Sequence, residues 1–186
     1  MEVRALFGLS ILGSLASCSV ISALYVWPWL RSVERERALT LLTAPHMFLR
    51  FIGLSFLVTG VVSPSLPSQF AVPAAYGDFA TGVLAIIATA ALAKRARWAT
   101  AAVWAFNLWG AADLLNAFYE GARVQIQPGS LGAGFFLITA IVPLLLTSHF
   151  LIFRLLVRRA TLTRRDATLK VAGPAARGVV DATGDI

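Results

Sequence analysis

Five polar side chains lie inside stretches of this 186-residue sequence that are otherwise apolar. They are His46, Arg50, Asn107, Asp113 and His149. An ionisable group in hydrocarbon costs about 2.5–3.5 kcal/mol on membrane-insertion scales, so such a group normally has a partner or a task. We therefore take these five residues as the candidate ligand- or cofactor-binding residues. Their types indicate chemistry based on charge, hydrogen bonding or proton transfer within a membrane.

Arg50 is the group in greatest need of a partner. It follows His46 by four residues, so the two side chains share one face of a helix. Asp113 is the carboxylate expected nearest in depth, which predicts an Arg50–Asp113 ion pair with further hydrogen bonds from Asn107 or Asn116. Two interpretations stay open, because the pair could only fix how two helices pack or could form a functional site.

His46 and His149 are the only histidines of the sequence, and both fall in predicted spans at similar depth. Two imidazoles on neighbouring helices could be the axial ligands of a haem iron, which makes haem b a candidate cofactor with Arg50 available for a propionate. The same two residues could form a proton relay, because histidine titrates near neutrality. A third interpretation is two hydrogen-bonded side chains that stabilise helix packing.

Asp78 and Tyr76 lie near the predicted outer end of a span. A helix that began after Asp78 would keep only about 15 apolar residues, too few to cross a bilayer. The helix must therefore begin earlier, near Pro73. We favour Asp78 as the N-cap of a displaced helix start. The alternative is that Asp78 and Tyr76 line an outer vestibule.

The elements that must position these residues are membrane-spanning helices. The sequence is 58% hydrophobic and 13% charged, with a mean hydropathy of +0.77, whereas soluble domains have about 45–50% apolar and about 25% charged residues. Because a spanning helix needs roughly 20 apolar residues, the pattern predicts an all-α integral membrane bundle. The five transmembrane helices are predicted over about residues 3–30, 41–62, 73–93, 99–119 and 134–157. A basic tail over residues 158–186 follows, with a disordered end from about Lys170.

The basic residues fall mainly on one side of this bundle. Twelve lie in the first and third connections and after the last helix: Arg31, Arg35, Arg37, Lys94, Arg95, Arg97, Arg158, Arg159, Arg164, Arg165, Lys170 and Arg177. The other side has only Arg4 and Arg123. The positive-inside rule then predicts an outer N-terminus and a cytoplasmic C-terminus. The sequence pI near 10.8 reflects this topology, and we expect no nucleic-acid partner.

The single cysteine, Cys18, excludes an internal disulfide and a cysteine-rich zinc site. Residues 15–18, Leu-Ala-Ser-Cys, match a lipobox, so lipidation at Cys18 stays open. We favour an uncleaved first spanning helix, because cleavage would export the basic segment 31–37 against the charge pattern.

A family resemblance is carried by four segments: LRFIGLSFLVTGVV, LPSQFAVPAAYGDFATG, NLWGAADLLNA and VPLLLTSHFLIFRLL. Over about residues 45–157 the sequence resembles a widespread group of small, uncharacterised bacterial integral membrane proteins. The resemblance implies a class of protein and no activity. The pattern Arg-x-x-Gly-x-x-Phe from Arg50 is similar to DoxX-like proteins, some of which accompany quinone-linked oxidoreductases, which implies a respiratory or quinone-associated role.

Three classes of function are compatible with these observations. The leading hypothesis is a redox-associated or ligand-binding accessory protein that uses haem or quinone. The second is a small-solute or proton-coupled transporter, with Asp78 in the outer vestibule and Arg50–Asp113 as a central gate. The third is an intramembrane enzyme acting on a lipid or prenyl substrate, with His149 as base. The expected partners are the lipid bilayer and either a membrane subunit or further copies of the chain.

Overall fold

The computed structural model describes the backbone of residues 2–171 and the side chains of residues 2–158. The chain divides into two units, Met1–Ile152 and Phe153–Ile186. All the predicted site residues lie in the first unit. The basic tail continues as helix to Val171, whereas most of its predicted disordered end, residues 172–186, lies outside the described residues.

The named elements of the described chain are all helical, which confirms the all-α fold class. The long helices are α1 (Val3–Ser32), α2 (Arg35–Leu57), α3 (Ser68–Ala93), α4 (Ala99–Arg123) and α5, which begins at Gly134 and is described to Val171.

Within the described residues, four helices are long and apolar enough to cross a membrane: α1, α2, α3 and the Gly134–Arg158 part of α5. Helix α4 has sufficient length, with 25 residues, but it is not one of the four. The polar residues Asn107, Asp113 and Asn116 lower its hydropathy. The polarity of α4 is thus the first indication that it carries the site.

Helix α2 contains the main irregularity of the fold. It is α-helical over Arg35–Thr43, has a turn at residues 44–45, is α-helical again over His46–Leu49 and changes to a 3-10 helix over Arg50–Leu57. A 3-10 run of this length is uncommon, because its hydrogen-bond geometry is poorer than that of the α-helix. The change of helix type begins at Arg50, so it sets the direction of that side chain.

Helix α3 is the centre of the bundle and packs against both α2 and α4. Two close approaches fix the α2–α3 register, because Gly53 faces Asp78 and Gly82 faces Phe51. Residue numbers increase along α2 from Phe51 to Gly53 while those of their partners on α3 decrease from Gly82 to Asp78, so α2 and α3 are antiparallel.

Helix α1 lies at the periphery of the bundle. Within the described residues none of its positions 3–21 is buried, and its contacts with later elements are made to Pro128–Leu131 and Leu137–Ile141. The rings of Phe7 and Phe135 pack there with centroids 5.5 Å apart. The apolar surface that α1 leaves exposed suits a lipid environment.

Candidate functional site

Arg50 lies at the centre of a buried polar cluster. Its side chain is fully buried, and its Nη1 donates to Asp78 Oδ1 at 2.5 Å and to Asp113 Oδ2 at 2.9 Å. Its Nη2 donates to the carbonyl oxygen of Gly110 at 2.8 Å and to His149 Nε2 at 2.9 Å. The predicted Arg50–Asp113 pair is therefore confirmed, and Arg50 has three further partners.

These side chains come from four different helices: Arg50 from α2, Asp78 from α3, Asp113 from α4 and His149 from α5. We call these four residues the Arg50 cluster. Because a guanidinium is planar and presents several donors in fixed directions, one side chain can hold acceptors from three neighbouring helices. The Arg50 side chain therefore links α2, α3, α4 and α5 by hydrogen bonds at one level of the bundle.

The hydrogen bonds determine the tautomer of His149. Its Nε2 accepts from Arg50, so its proton lies on Nδ1, which donates to Asn107 Oδ1 at 2.7 Å. The Asn107 amide donates in turn to the backbone oxygen of His149 at 3.2 Å. Asn107 thus contributes to the site by orienting His149, whereas Asn116 is exposed.

His46 lies beside the cluster and has a different set of partners. The Ser148 hydroxyl donates to the Leu145 carbonyl at 2.8 Å, so it accepts from His46 Nε2 at 2.7 Å. His46 Nδ1 is then an acceptor, and it has no hydrogen-bond partner within the described part of the chain. The His46 and His149 rings pack with centroids 4.6 Å apart.

The prediction that Asp78 is an N-cap is wrong. Helix α3 begins at Ser68, and Pro67 occupies the N-cap position, so Asp78 lies well inside the helix. Asp78 is only 7% exposed and bonds to Arg50. Tyr76, by contrast, is exposed and lines a surface groove. The helix begins before the predicted start near Pro73, because Pro73 is accommodated inside α3.

Glycines make room for the cluster on three helices. A Cβ atom at Gly53 would clash with the Asp78 side chain, and one at Gly77 would clash with the Asp113 carboxylate. A Cβ atom at Gly110 would lie 2.6 Å from His149 Cε1. Each of the three polar side chains therefore leans directly on the backbone of a neighbouring helix.

The charges within the Arg50 cluster do not balance. Two carboxylates face one guanidinium, and His149 is in the neutral form because its Nε2 accepts from Arg50. The ionised cluster would carry a net charge of −1, and an uncompensated charge away from water is costly. A proton or another bound cation at one carboxylate would remove this cost.

Asp113 connects two spaces of different character. On the inner side it lines, with Asp78 and mainly apolar residues, a cavity of about 30 Å³, enough for one or two water molecules. On the outer side it lines an open groove of about 390 Å³ between α3 and α4. We call this the Asp113 groove; its other lining residues include Tyr76, Gly77, Trp109 and Asn116.

Comparison with known proteins places the chain in a family. A family described as a domain of unknown function, DUF8737, matches residues 6–157. The chain belongs to the DUF8737 family. The matched DUF8737 region contains every residue of the Arg50 cluster as well as His46 and Asn107. No curated protein and no solved structure matches the chain.

The residues of this DUF8737 chain do not fit a bis-histidine haem. Metal–nitrogen bonds of about 2 Å to both sides of a haem plane require ring centroids about 6 Å apart, but the centroids of His46 and His149 are 4.6 Å apart and the rings are in contact. Both nitrogens of His149 are also engaged, by Arg50 and Asn107. In addition, the described residues contain no group of three His, Cys, Asp or Glu that could hold a metal ion.

We therefore expect the purified protein to lack a haem absorption band. Spectra of the oxidised and dithionite-reduced protein in detergent should show no Soret peak, even after expression with added haem precursor. The His46→Ala and His149→Ala variants should give the same spectra as the wild type. A Soret peak that disappears in both variants would contradict this expectation and would require the two rings to separate.

Proposed function

We propose that this DUF8737 protein is a small integral membrane protein that binds a lipid-soluble ligand of the quinone class in the Asp113 groove. The observation that carries the proposal is that Asp113 lies at the boundary between the buried cluster and the groove. This residue accepts from Arg50 inside the buried cluster and also lines a groove that is open at the surface between α3 and α4. A ligand in the groove would touch the same carboxylate that belongs to the buried network.

The lining of the groove suits a flat ring with polar oxygens. Trp109 and Tyr76 are 53% and 60% exposed and offer aromatic surfaces for a ring. Asn116 offers amide donors for a carbonyl oxygen, and Asp113 offers a second donor when it carries a proton. The volume of about 390 Å³ lies within the range of small-molecule pockets.

The cluster can supply protons to such a ligand. Reduction of a quinone to a quinol consumes two electrons and two protons, and the excess of carboxylate over guanidinium provides a place to hold a proton beside the groove. The electrons would come from a redox-active membrane subunit, which makes the chain an accessory protein. The bilayer would supply the quinone.

The membrane topology is part of the same proposal. We propose five crossings, including the polar helix α4, with the N-terminus outside and the C-terminus in the cytoplasm of a bacterial inner membrane. The twelve-to-two distribution of basic residues supports this orientation. The cluster supports the fifth crossing, because α4 supplies Asp113 to Arg50 of α2, a helix that is itself long and apolar enough to cross a membrane.

Asn116→Leu tests the proposal with little risk to folding, because Asn116 is exposed and the two side chains have the same branched shape. The loss of one hydrogen bond, about 1.4 kcal/mol, should weaken binding of a short-chain ubiquinone about tenfold. Binding would be measured by titration of the purified protein in lipid nanodiscs. The control is Leu115→Ala on the same helix, 58% exposed, which should bind as the wild type does. Equal affinity in wild type and Asn116→Leu, or no binding above that of empty nanodiscs, would overturn the proposal.

A proton-coupled transporter is the second candidate, and the net charge of the cluster favours it. A site with two carboxylates and one guanidinium can exchange a proton for a cationic solute, since either would neutralise the remaining charge. In vesicles, such a protein would move protons only when the solute is present. The quinone proposal predicts no such solute-dependent flux.

A further inference from the structure

One face of α2 carries three buried polar atoms for which the described residues offer no hydrogen-bond partner. They are Thr43 Oγ1, His46 Nδ1 and Arg50 Nε. All three residues are 0% exposed. Their spacing of three and four residues places them in one row along the helix. Such orphaned groups are rare in proteins, and a row of them needs an explanation.

The three atoms are complementary to water. Arg50 Nε is a donor, His46 Nδ1 is an acceptor because the His46 proton lies on Nε2, and the Thr43 hydroxyl can be either. Because the row contains both a donor and an acceptor, a protein group that only donates or only accepts could not satisfy all three atoms. A water molecule can accept from one member of the row and donate to the next.

The row faces the interior of the bundle, where His46 contacts Phe106 of α4 and Ser148 and His149 of α5. The antiparallel register of α2 and α3 shows where the row leads. Gly53 lies against Asp78 and Phe51 against Gly82, so moving back along α2 towards Thr43 corresponds to moving forward along α3 towards Thr89. Thr89 Oγ1 is also a buried atom that has no partner within the described chain. The polar atoms therefore continue from the Arg50 cluster towards the end of α3 at Ala93, whereas the Asp113 groove lies near the other end, at Tyr76 and Gly77.

We propose that a file of water molecules follows this row of polar atoms and carries protons between the Arg50 cluster and the end of the bundle where α3 ends. Each water in the file accepts one proton and passes on another, so the file is unchanged after each transfer. The charged and titratable groups that face His46 within it are Arg50 and His149. The inference goes beyond the proposed function, because it holds whichever ligand the groove binds. Together with the Asp113 groove, the water file gives the Arg50 cluster two routes of access, from opposite ends of the bundle.

The two histidines allow a test in one sample. The full chain, labelled with ¹⁵N-histidine and reconstituted in lipid vesicles, would give only two imidazole signals, because the sequence has only two histidines. Water-edited solid-state NMR measures transfer of magnetisation from water to each nitrogen. We expect transfer to His46 Nδ1 and none to His149, whose nitrogens are both bonded within the protein. The absence of transfer to His46 would overturn the proposal.

Thr43→Val is the matched variant, because it replaces the hydroxyl by a methyl group and keeps the shape. It should abolish transfer to His46 Nδ1 and leave the His149 signal unchanged, and Thr43→Ser should restore the transfer. The control is Thr139→Val, because the buried Thr139 hydroxyl already donates to the Phe135 carbonyl. This variant should show the same transfer from water to His46 Nδ1 as the wild type. Unchanged transfer in Thr43→Val would show that water reaches His46 by another route and would also refute the file. Quinone binding is measured separately, so failure here leaves the groove proposal standing.

Discussion

Replacement of Arg50 by methionine should prevent accumulation of the folded protein in the membrane. The side chain donates to two carboxylates, one carbonyl and one imidazole, and all of these acceptors would be left in place without a cation. Removal of one partner of a buried ion pair costs about 3–5 kcal/mol. That is a large part of a typical unfolding free energy of about 5–15 kcal/mol. Arg50→Lys should recover only part of the loss, because an ammonium group cannot present the planar fork.

The test measures thermal unfolding of the detergent-purified variants and the amount that elutes as a monodisperse species. Asp113→Asn should cost less in the Arg50→Met background than in the wild type, because it then removes one of the two carboxylate charges that the loss of Arg50 leaves uncompensated. The double variant should therefore lose less stability than the sum of the two single changes. The control is Arg123→Ala, which removes an exposed ion pair with Glu120 and should cost at most about 1 kcal/mol. Additive losses for Arg50 and Asp113 would contradict the energetic coupling.

Gly110→Ala should also be strongly destabilising. The added methyl group would lie 2.6 Å from His149 Cε1 and 2.7 Å from Thr81 Cγ2, and both neighbours are themselves buried. Overpacking of this kind costs about 1–3 kcal/mol. Because His149 would have to move, the variant should also lose the bond from Arg50 Nη2 to the imidazole.

The matched control for Gly110→Ala is Gly13→Ala. Gly13 lies within helix α1, and a Cβ atom there would meet nothing within 4 Å. Alanine is preferred over glycine inside a helix by up to about 1 kcal/mol, so Gly13→Ala should leave the unfolding temperature equal or higher. The two glycine variants should thus shift the unfolding temperature in opposite directions. Equal behaviour would refute the close contact at Gly110.

The sequence predicted the chemistry of the site and most of its residues, but it did not predict all of them. Arg50, Asp113, His149 and Asn107 stood out because each is polar within an apolar segment, and the structure brings them together. Asp78 was placed elsewhere because its position depended on where α3 begins, and Pro73 gave the wrong start. The signal that could have placed Asp78 in the site is the balance of charged residues within the predicted spans, since Arg50 pairs with two carboxylates and not one.

The glycines of the cluster were also missed, although a spacing rule could have found two of them. Gly53 follows Arg50 by three residues, and Gly110 precedes Asp113 by three residues. Each therefore lies on the same helix face as its charged residue and marks the surface where another helix comes close. The partner of each glycine could not be predicted, because it depends on the register between helices, which the apolar pattern alone does not fix.

The three glycine contacts also restrict how the bundle can move. Asp78, Asp113 and His149 each sit against a glycine of the next helix, and a slide by one turn, about 5.4 Å, would drive each side chain into a residue that has a Cβ atom. Sliding of packed helices past one another is one common type of conformational change, and rotation about a hinge is the other. Any working cycle of this protein that keeps α2, α3 and α4 together must therefore proceed by pivoting about the level of Arg50.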